Sequence, residues 1–242
     1  MNGLDNGNLK LAMQKDGRLT DETFAFLKST GLEIESYNRR LFSTCRNFPL
    51  EILYLRDDDI PDYVERGVVD LGIIGQNILY EKRPGVKKLL NLRFGFCSLI
   101  VAVPKESEII DITGLKNKKI ATSYPNSTIN FFKKSDIRVD VVQIKGSVEV
   151  APILGVADAI VDLISTGSTL ALNDLRVLTK VYDSEAILIA NNQALLNGKK
   201  DLLSKLTIRI KGVLSAKNYK YVMMNAPENN LSRILKIIPG LK

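Results

Sequence analysis

The chain has 242 residues, a net charge of +7, no histidine and two cysteines. Because histidine is absent, a Ser-His-Asp triad, a histidine base and every histidine-ligated metal site are excluded. The two cysteines, Cys45 and Cys97, lie far apart in the sequence. They argue against a zinc site or a disulfide framework and fit a reducing cytoplasm. A chain of this length can bury a large core and is typical of two lobes.

The excess of positive charge has two interpretations. One is nonspecific binding of nucleic acid, which predicts a steep dependence on salt. The other is binding of anionic small substrates, whose charge needs compensation. Lysines and arginines are spread along the chain in short pairs, and no aromatic residues interleave with a basic stripe. This distribution favours small substrates, so we expect no nucleic-acid partner.

No segment has the pattern of a membrane span or an export signal. Uninterrupted apolar runs fall well short of 18 residues, so no membrane partner is expected. The first eight residues lack the apolar centre of a signal peptide. We therefore expect a cytoplasmic protein.

Predicted strands and helices alternate along the chain. Apolar runs bounded by turn residues predict strands at 9–13, 52–55, 69–74, 99–103, 119–122, 139–144, 159–164 and 186–190. Capping residues and apolar periodicity predict helices at 20–29, 59–66, 127–134 and 200–217, with a further one starting at 149. This alternation predicts an α/β fold with mostly parallel sheets.

We predict two lobes joined by crossings near residues 100–104 and 184–187. The lobes are residues 1–102 with 186–220 (lobe I) and residues 103–185 (lobe II). The cleft between them is where ligands should lie. Residues 221–242 have the pattern of one strand and one helix, at 221–227 and 228–238, which is too little for an independent core.

Residues 149–170 carry the strongest functional signal. An apolar run containing Asp158 and Asp162 leads into a small loop, and a helix-like segment follows. Strand, loop and helix start form a geometry that holds phosphate, and Gly167 allows a close approach of the backbone. The other loop positions add hydroxyl donors: Ser165, Thr166, Ser168 and Thr169. Such loops are also common as turns and N-caps, but an acid near the end of a buried strand needs a partner, which favours a ribose-5-phosphate site.

This stretch resembles the signature of the ATP phosphoribosyltransferase family. The matching residues are Glu149, Gly155, Ala157, Ile160, Asp162, Thr166, Gly167, Thr169 and Leu170. Further segments that are similar to the family lie at 13–19, 56–61, 69–75, 121–125 and 146–152. The similarity extends over nearly the whole chain from residue 9.

The resemblance implies a two-lobed, periplasmic-binding-protein-like fold of type II with a cleft between the lobes. It implies that N1 of ATP joins C1 of 5-phosphoribosyl 1-pyrophosphate, with release of pyrophosphate, as the first step of histidine biosynthesis. Mg²⁺ would be held mainly by substrate oxygens, and its protein ligands stay open. Residues 221–242 would begin a truncated ferredoxin-like regulatory domain, so we expect a dimeric homo-oligomer here and a hexamer for longer members.

The resemblance also implies roles for the acids and the loop. The loop from Ser165 to Thr169 would bind the 5-phosphate. Asp158 and Asp162 would accept ribose hydroxyls, or hold Mg²⁺ through water, and Glu149 would reach the same ribose. Alternatively, Asp158 is a cap or turn former and Glu149 complements a helix dipole. No strong base is needed, because adenine N1 has a free lone pair. Arg18 is the fourth predicted catalytic residue, beside the three acids.

The predicted ATP-binding residues are Lys15, Gly17, Arg18, Arg56, Gly75 and Tyr124. The first three form a cationic loop that suits a polyphosphate, although a solvated turn has the same pattern. Arg56 would contact phosphate or adenine, unless it pairs with one of the three acids that follow it. Tyr124 would stack on adenine, unless it only packs against the turn. A two-lobed binder without catalysis, such as a sensor or solute-binding protein, is the alternative function.

Overall fold

The computed structural model describes residues 7–35, 41–165, 167, 170, 172–193, 198–216 and 223–237. The strands are β1 (Leu9–Gln14), β2 (Phe42–Thr44), β3 (Leu50–Leu55), β4 (Leu71–Gly75), β5 (Lys87–Asn91), β6 (Cys97–Pro104), β7 (Lys119–Thr122), β8 (Asp140–Gln143), β9 (Ala159–Ile164), β10 (Leu175–Ser184) and β11 (Ala186–Ala190). The helices are α1 (Thr20–Ser29), α2 (Ile60–Glu65), α3 (Gln76–Lys82), α4 (Pro125–Lys134), α5 (Lys200–Ala216) and α6 (Leu231–Ile237). Short 3-10 helices lie at Ile112–Leu115, Val148–Val150 and Glu228–Asn230.

The strands form two mixed sheets. Their orders are β2-β3-β1-β4-β11-β5 and β10-β6-β9-β7-β8. We call the first sheet with its helices lobe I and the second lobe II. Strand β1 is parallel to β3 and β4, and β7 is parallel to β8 and β9. The other pairings are antiparallel. Four of them involve β6 or β11, which enter their sheets from the opposite lobe, and the fifth joins the consecutive strands β2 and β3. The prediction of parallel sheets therefore holds only for these two groups of strands.

The two crossings between the lobes lie side by side. The first comes at residues 92–96, before the predicted 100–104, because all of β6 pairs inside the second sheet. The second crossing is Glu185, between β10 and β11. Its carboxylate Oε2 accepts the backbone N–H of Arg93 at 2.8 Å, which ties one crossing to the other.

Helix α5 shows how the sequence places an element on the core of lobe I. Leu203, Leu206, Ile210 and Leu214 recur at helical spacing and are buried against the first sheet. At the start of this helix, an ion pair is partly buried. Asp70 Oδ2 accepts the backbone N–H of Lys10 at 2.8 Å and an N–H of Lys199 Nζ at 3.1 Å. The side chains of Lys199 and Asp70 are only 19% and 14% exposed, so solvent screens the pair weakly.

Replacing Asp70 with alanine is expected to lower the free energy of unfolding by about 2–3 kcal/mol, because it removes a charged acceptor from a partly buried ammonium and from a backbone N–H. Urea unfolding followed by circular dichroism measures the change. Glu106→Ala, at an exposed acid of lobe II, is the control and should shift the free energy by less than about 0.5 kcal/mol. An equally small change in the free energy of unfolding of Asp70→Ala would contradict the contribution of Asp70 to stability through Lys10 and Lys199.

The strand expected at 221–227 is absent from its described part. Residues 223–227 have no strand conformation and no strand of the described chain pairs with them. An isolated strand lacks hydrogen-bond partners, so the apolar pattern alone does not form one. Helix α6 follows, with exposed Leu231, Leu235 and Ile237. None of the helices in the described ranges is long and apolar enough to cross a membrane.

Candidate active site

A cavity of about 890 Å³ lies between the lobes. Lobe I contributes the turn after β3, from Arg56 to Asp59, and part of α3. Lobe II contributes the turn after β7, at 123–126, the last residue of β8, Gln143, and the following loop at 145–146. Ligands of open α/β sheets bind at the carboxyl ends of the parallel strands, and both turns occupy such ends. The cavity therefore lies where the fold favours a ligand.

Asp162 lies on the face of β9 that Ile160 and Ile164 share, since strand residues alternate between faces. Val148 of the short helix before β9 packs against the same face, which brings the next residue, Glu149, within electrostatic range of Asp162. Burial, followed by the charge of Glu149, raises the pKa of the Asp162 carboxyl to about 6. The backbone N–H of Leu163, which donates to Asp162 Oδ1 at 2.8 Å, opposes that rise. A carboxyl with such a pKa is typical of a functional site.

The predicted phosphate loop is described at two of its five positions. Ser165 is exposed directly after β9, and Gly167 has a φ of +77° with open space where a Cβ would lie. Thr166, Ser168 and Thr169 lie outside the described residues. Leu170 is buried beside Ile160 in the core of lobe II. The described residues Ser165 and Leu170, which flank these three positions, thus belong to the same lobe as Asp162.

Asp158 is separated from this group. It precedes β9, whereas the loop follows it, and the two ends are about 20 Å apart at the ordinary rise of a strand. Its carboxylate accepts the backbone N–H of Lys119 at 2.9 Å and pairs with Lys118 Nζ at 3.3 Å. Asp158 therefore joins the starts of β7 and β9, which agrees with the alternative interpretation as a turn former and not with a ribose contact.

The cationic loop after β1 lies beside the turn after β3. The backbone N–H of Lys15 donates to the Leu55 carbonyl at 2.7 Å, so Lys15 and Arg56 follow neighbouring strand ends. Gly17 has a φ of +140°, a conformation that side chains rarely adopt. Arg18 Nη1 donates to the Gly95 carbonyl at 2.7 Å, which attaches the loop to the first crossing. Arg18 thus has a structural partner in addition to any ligand.

Arg56 is exposed in the cavity and forms no salt bridge with the three acids that follow it, all of which the structure describes. The alternative interpretation as a local ion pair is therefore wrong. Burial, together with the charges of Asp58 and Asp59, raises the pKa of the Asp57 carboxyl. A free guanidinium beside these carboxyls can bind an anionic ligand.

Gly75 and Tyr124 surround a buried asparagine that sequence reasoning missed. A Cβ at Gly75 would lie 2.2 Å from Asn77 Oδ1, so the glycine leaves room for this side chain. Asn77 Oδ1 accepts the hydroxyl of Ser184 at 3.1 Å, and Asn77 Nδ2 donates to the Tyr124 hydroxyl at 3.4 Å. Burial raises the pKa of Tyr124 well above its usual value. Gly75 therefore supports a contact between the lobes, and the Tyr124 hydroxyl has a protein partner.

No group of three or more histidine, cysteine, aspartate or glutamate residues in the described ranges is arranged to hold a metal ion. Mg²⁺ ordinarily keeps several waters and takes one or two carboxylates together with substrate phosphates. Mg²⁺ bound in that way needs no such group from the protein.

Comparison with known proteins identifies the family. A family model of ATP phosphoribosyltransferase matches residues 56–212, and a model of the HisG C-terminal domain matches residues 216–242. The chain is 44% identical over 234 residues to the ATP phosphoribosyltransferase of Bacteroides thetaiotaomicron, covering 97% of this chain and 82% of that protein. The ATP phosphoribosyltransferase of Cytophaga hutchinsonii is 43% identical with the same coverage. The chain belongs to the ATP phosphoribosyltransferase family.

Solved structures agree with this assignment. The ATP phosphoribosyl transferase (HisG:HisZ) complex from Thermotoga maritima contains a chain that is 28% identical, with a TM-score of 0.74 and coverage of 87% of this chain and 100% of that one. The substrate binding protein of an amino acid ABC transporter has a TM-score of 0.58 at 19% identity, covering 87% and 95%, and shows the fold alone. The two-lobed, periplasmic-binding-protein-like fold is confirmed. The chain is an enzyme of histidine biosynthesis, as predicted, and the alternative function, a binder without catalysis, is wrong.

Proposed function

We propose that the cleft carries out the family's transfer with the two substrates held by opposite lobes. N1 of ATP attacks C1 of 5-phosphoribosyl 1-pyrophosphate, the bond from C1 to the pyrophosphate oxygen breaks, and pyrophosphate leaves with its electron pair. Two observations support this arrangement: the half-buried acid Asp162 of lobe II lies within electrostatic range of the cavity residue Tyr124, and Arg56 of lobe I is exposed in the same cavity. The reaction then depends on in-line placement and stabilisation of charge.

Lobe II is proposed to bind the sugar phosphate. The backbone N–H groups and hydroxyls from Ser165 to Thr169 would hold the 5-phosphate, since their donors follow the carboxyl end of β9. Asp162 and Glu149 would accept the ribose hydroxyls. A carboxylate at this place also stabilises the positive charge that develops on the ribose as pyrophosphate leaves.

Lobe I is proposed to bind polyphosphate. Arg56 and Lys15 would neutralise the triphosphate of ATP or the departing pyrophosphate, because both lie at neighbouring strand ends and Arg56 forms no ion pair among the described residues. Arg18 would orient this loop through its bond to Gly95 while its remaining donors face the polyphosphate. Tyr124 would form a wall of the adenine pocket.

The family generally requires a divalent metal, and we propose Mg²⁺. Phosphate oxygens of the two substrates would hold it, since no described group of side chains forms a metal cage. When bound, it neutralises charge on the leaving pyrophosphate. The protein's own part is to place these phosphates with Lys15 and Arg56.

Three further expectations remain proposals. Residues 221–242 belong to a C-terminal regulatory domain, which the match of the C-terminal model to 216–242 supports. The chain forms a homo-oligomer, and the related structure, which is itself a complex of HisG with HisZ, supports assembly with further subunits. The enzyme works in the cytoplasm, where histidine biosynthesis takes place.

The purified chain, mixed with ATP, 5-phosphoribosyl 1-pyrophosphate and Mg²⁺, is expected to form N1-phosphoribosyl-ATP. Its ultraviolet absorbance, with pyrophosphatase present to remove the product pyrophosphate, follows the reaction. EDTA in excess should abolish it if a metal accompanies the substrates. Binding of both substrates without any product would contradict the proposed arrangement of the cleft.

A further inference from the structure

Glu81 of α3 makes the charged contact between the lobes at the edge of the cavity. Its carboxylate oxygens accept the backbone N–H groups of Asn126 and Ser127, each at 2.8 Å. In return, Asn126 Nδ2 donates to the Glu81 carbonyl at 3.1 Å. Glu81 lies in lobe I, and the two residues that it binds open helix α4 of lobe II.

Helix α4 lacks a cap of its own. The first N–H groups of a helix have no partner within it, and a side chain just before the helix usually supplies one. Tyr124 precedes α4 and makes no such hydrogen bond, and the first turn contains no acid. Glu81 therefore supplies the cap from the opposite lobe. Because the acceptor is ionised and the helix dipole favours a negative charge there, this is a strong kind of hydrogen bond.

The neighbouring contacts across the cleft are neutral. Asn77 Nδ2 reaches the Tyr124 hydroxyl at a long 3.4 Å. The rings of Tyr80 and Tyr182 meet edge to face with centroids 4.9 Å apart. Both pairs lie along the same seam of α3 with lobe II, so the capping contact of Glu81 sets the distance between the two walls of the cavity more firmly than its neighbours do.

We propose that Glu81 is a positioning residue that holds the lobes at the spacing at which the two substrates react. This inference rests on the proposed function, in which ATP and the sugar phosphate lie on opposite lobes. Glu81 acts through the backbone of α4 and touches neither reacting atom. Losing it would let the lobes separate without disturbing either substrate's own contacts, and a displacement of about 1 Å can reduce a rate by two orders of magnitude.

Glu81→Gln tests this role, because glutamine keeps the size of the side chain and loses the charge and one acceptor. The matched control is Glu65→Gln. Glu65 Oε1 also accepts a backbone N–H, from Gly85 at 2.9 Å, but both residues belong to lobe I. Glu81→Asp, which is one methylene shorter and keeps the charge, is the second variant and replaces Glu81→Gln if that variant does not fold.

We expect Glu81→Gln to lower kcat about tenfold to a hundredfold while the Kd for 5-phosphoribosyl 1-pyrophosphate alone changes less than threefold. Amide hydrogen exchange at Asn126 and Ser127 should become faster, with exchange in the cores of both lobes unchanged. Glu81→Asp should show a smaller loss, and Glu65→Gln should keep the wild-type kcat. Unchanged kcat and exchange in Glu81→Gln would overturn the proposal, as would an equal effect in Glu65→Gln.

A failure of the proposed function has a different signature. If the wild-type chain forms no product, the exchange at Asn126 and Ser127 still reports whether Glu81 links the lobes. If Glu81→Gln loses binding of 5-phosphoribosyl 1-pyrophosphate as strongly as kcat, Glu81 contacts the substrate and the positioning role is wrong.

Discussion

Replacing Thr166 and Thr169 together with alanine is expected to weaken binding of 5-phosphoribosyl 1-pyrophosphate by at least about a hundredfold. Each threonine would donate a hydrogen bond to a charged phosphate, and such a bond contributes about 1.5–3 kcal/mol, where 1.4 kcal/mol is a factor of ten. The backbone N–H groups of the loop remain, so some affinity should persist. Isothermal titration calorimetry of the variant with this substrate measures the change.

The control for this variant is Thr113→Ala with Thr179→Ala. These threonines belong to lobe II but lie outside the residues that line the cleft cavity. Their replacement should leave the Kd within about twofold of wild type. Equal affinities of the loop variant and wild type would place the phosphate elsewhere.

Asp162→Asn is expected to lower kcat/KM by about a hundredfold or more. The amide keeps the shape and can still accept the Leu163 N–H, but it loses the charge that holds the ribose hydroxyls and stabilises the developing positive charge. Initial rates with varied 5-phosphoribosyl 1-pyrophosphate measure the loss. Asp158→Asn is the comparison, because Asp158 binds Lys118 and Lys119 at the other end of β9. The kcat/KM of this variant should stay within about threefold of wild type.

The pH dependence of kcat/KM in wild type and in Asp162→Asn shows whether the charge of Asp162 is needed for activity. In wild type, kcat/KM should fall as pH drops below about 6, since the Asp162 carboxyl has a pKa of about 6 and becomes protonated there. Asp162→Asn should lack this limb of the profile. A wild-type profile that is flat between pH 5 and 7 would contradict the role.

Stability should change in the opposite direction from activity. The pKa of Asp162 is raised in the folded state, from 3.8 to about 6, so the folded protein binds the proton more tightly than the unfolded chain. Its contribution to stability is therefore present below about pH 4 and is lost as pH rises through about 6. At pH 7 Asp162→Asn should be about 1–2 kcal/mol more stable than wild type. A less stable, inactive variant would indicate a structural role instead.

The sequence predicts the neighbourhood of the site well where an apolar run has clear ends. Strand β9 occupies 159–164 as predicted, because its buried residues are bounded by Asp158 and by the small loop. The same pattern cannot distinguish Asp158 from Asp162. Both lie on the same face by the two-residue period, and the contacts of Asp158 with Lys118 and Lys119 at the start of the strand became evident only from the structure.

Strands β5 and β10 were missed for the opposite reason. Residues 87–91 include exposed lysines, and residues 175–184 pair with β6 through two irregularities that interrupt the alternation of buried and exposed side chains. Such strands are defined by their partners and not by their own apolar pattern. The first crossing lies earlier than predicted because β6 pairs with both β9 and β10 of lobe II.

The contacts between the lobes could not be predicted from local sequence. Asn77 and Tyr124 are 47 residues apart, and Glu81 is 45 and 46 residues from the two N–H groups that it accepts. The sequence offered only an asparagine close to the strand end at Gly75, and its burial, which makes a partner necessary, is known only from the structure. Its partner became evident only from the packing of α3 against α4.

A crystal structure with bound 5-phosphoribosyl 1-pyrophosphate tests the central claim most directly. We predict phosphate oxygens within about 3 Å of backbone nitrogens between Ser165 and Thr169, with ribose hydroxyls facing Asp162. The account would be contradicted by a 5-phosphate bound at another place in the cleft, or by loop N–H groups that are all occupied by the protein itself.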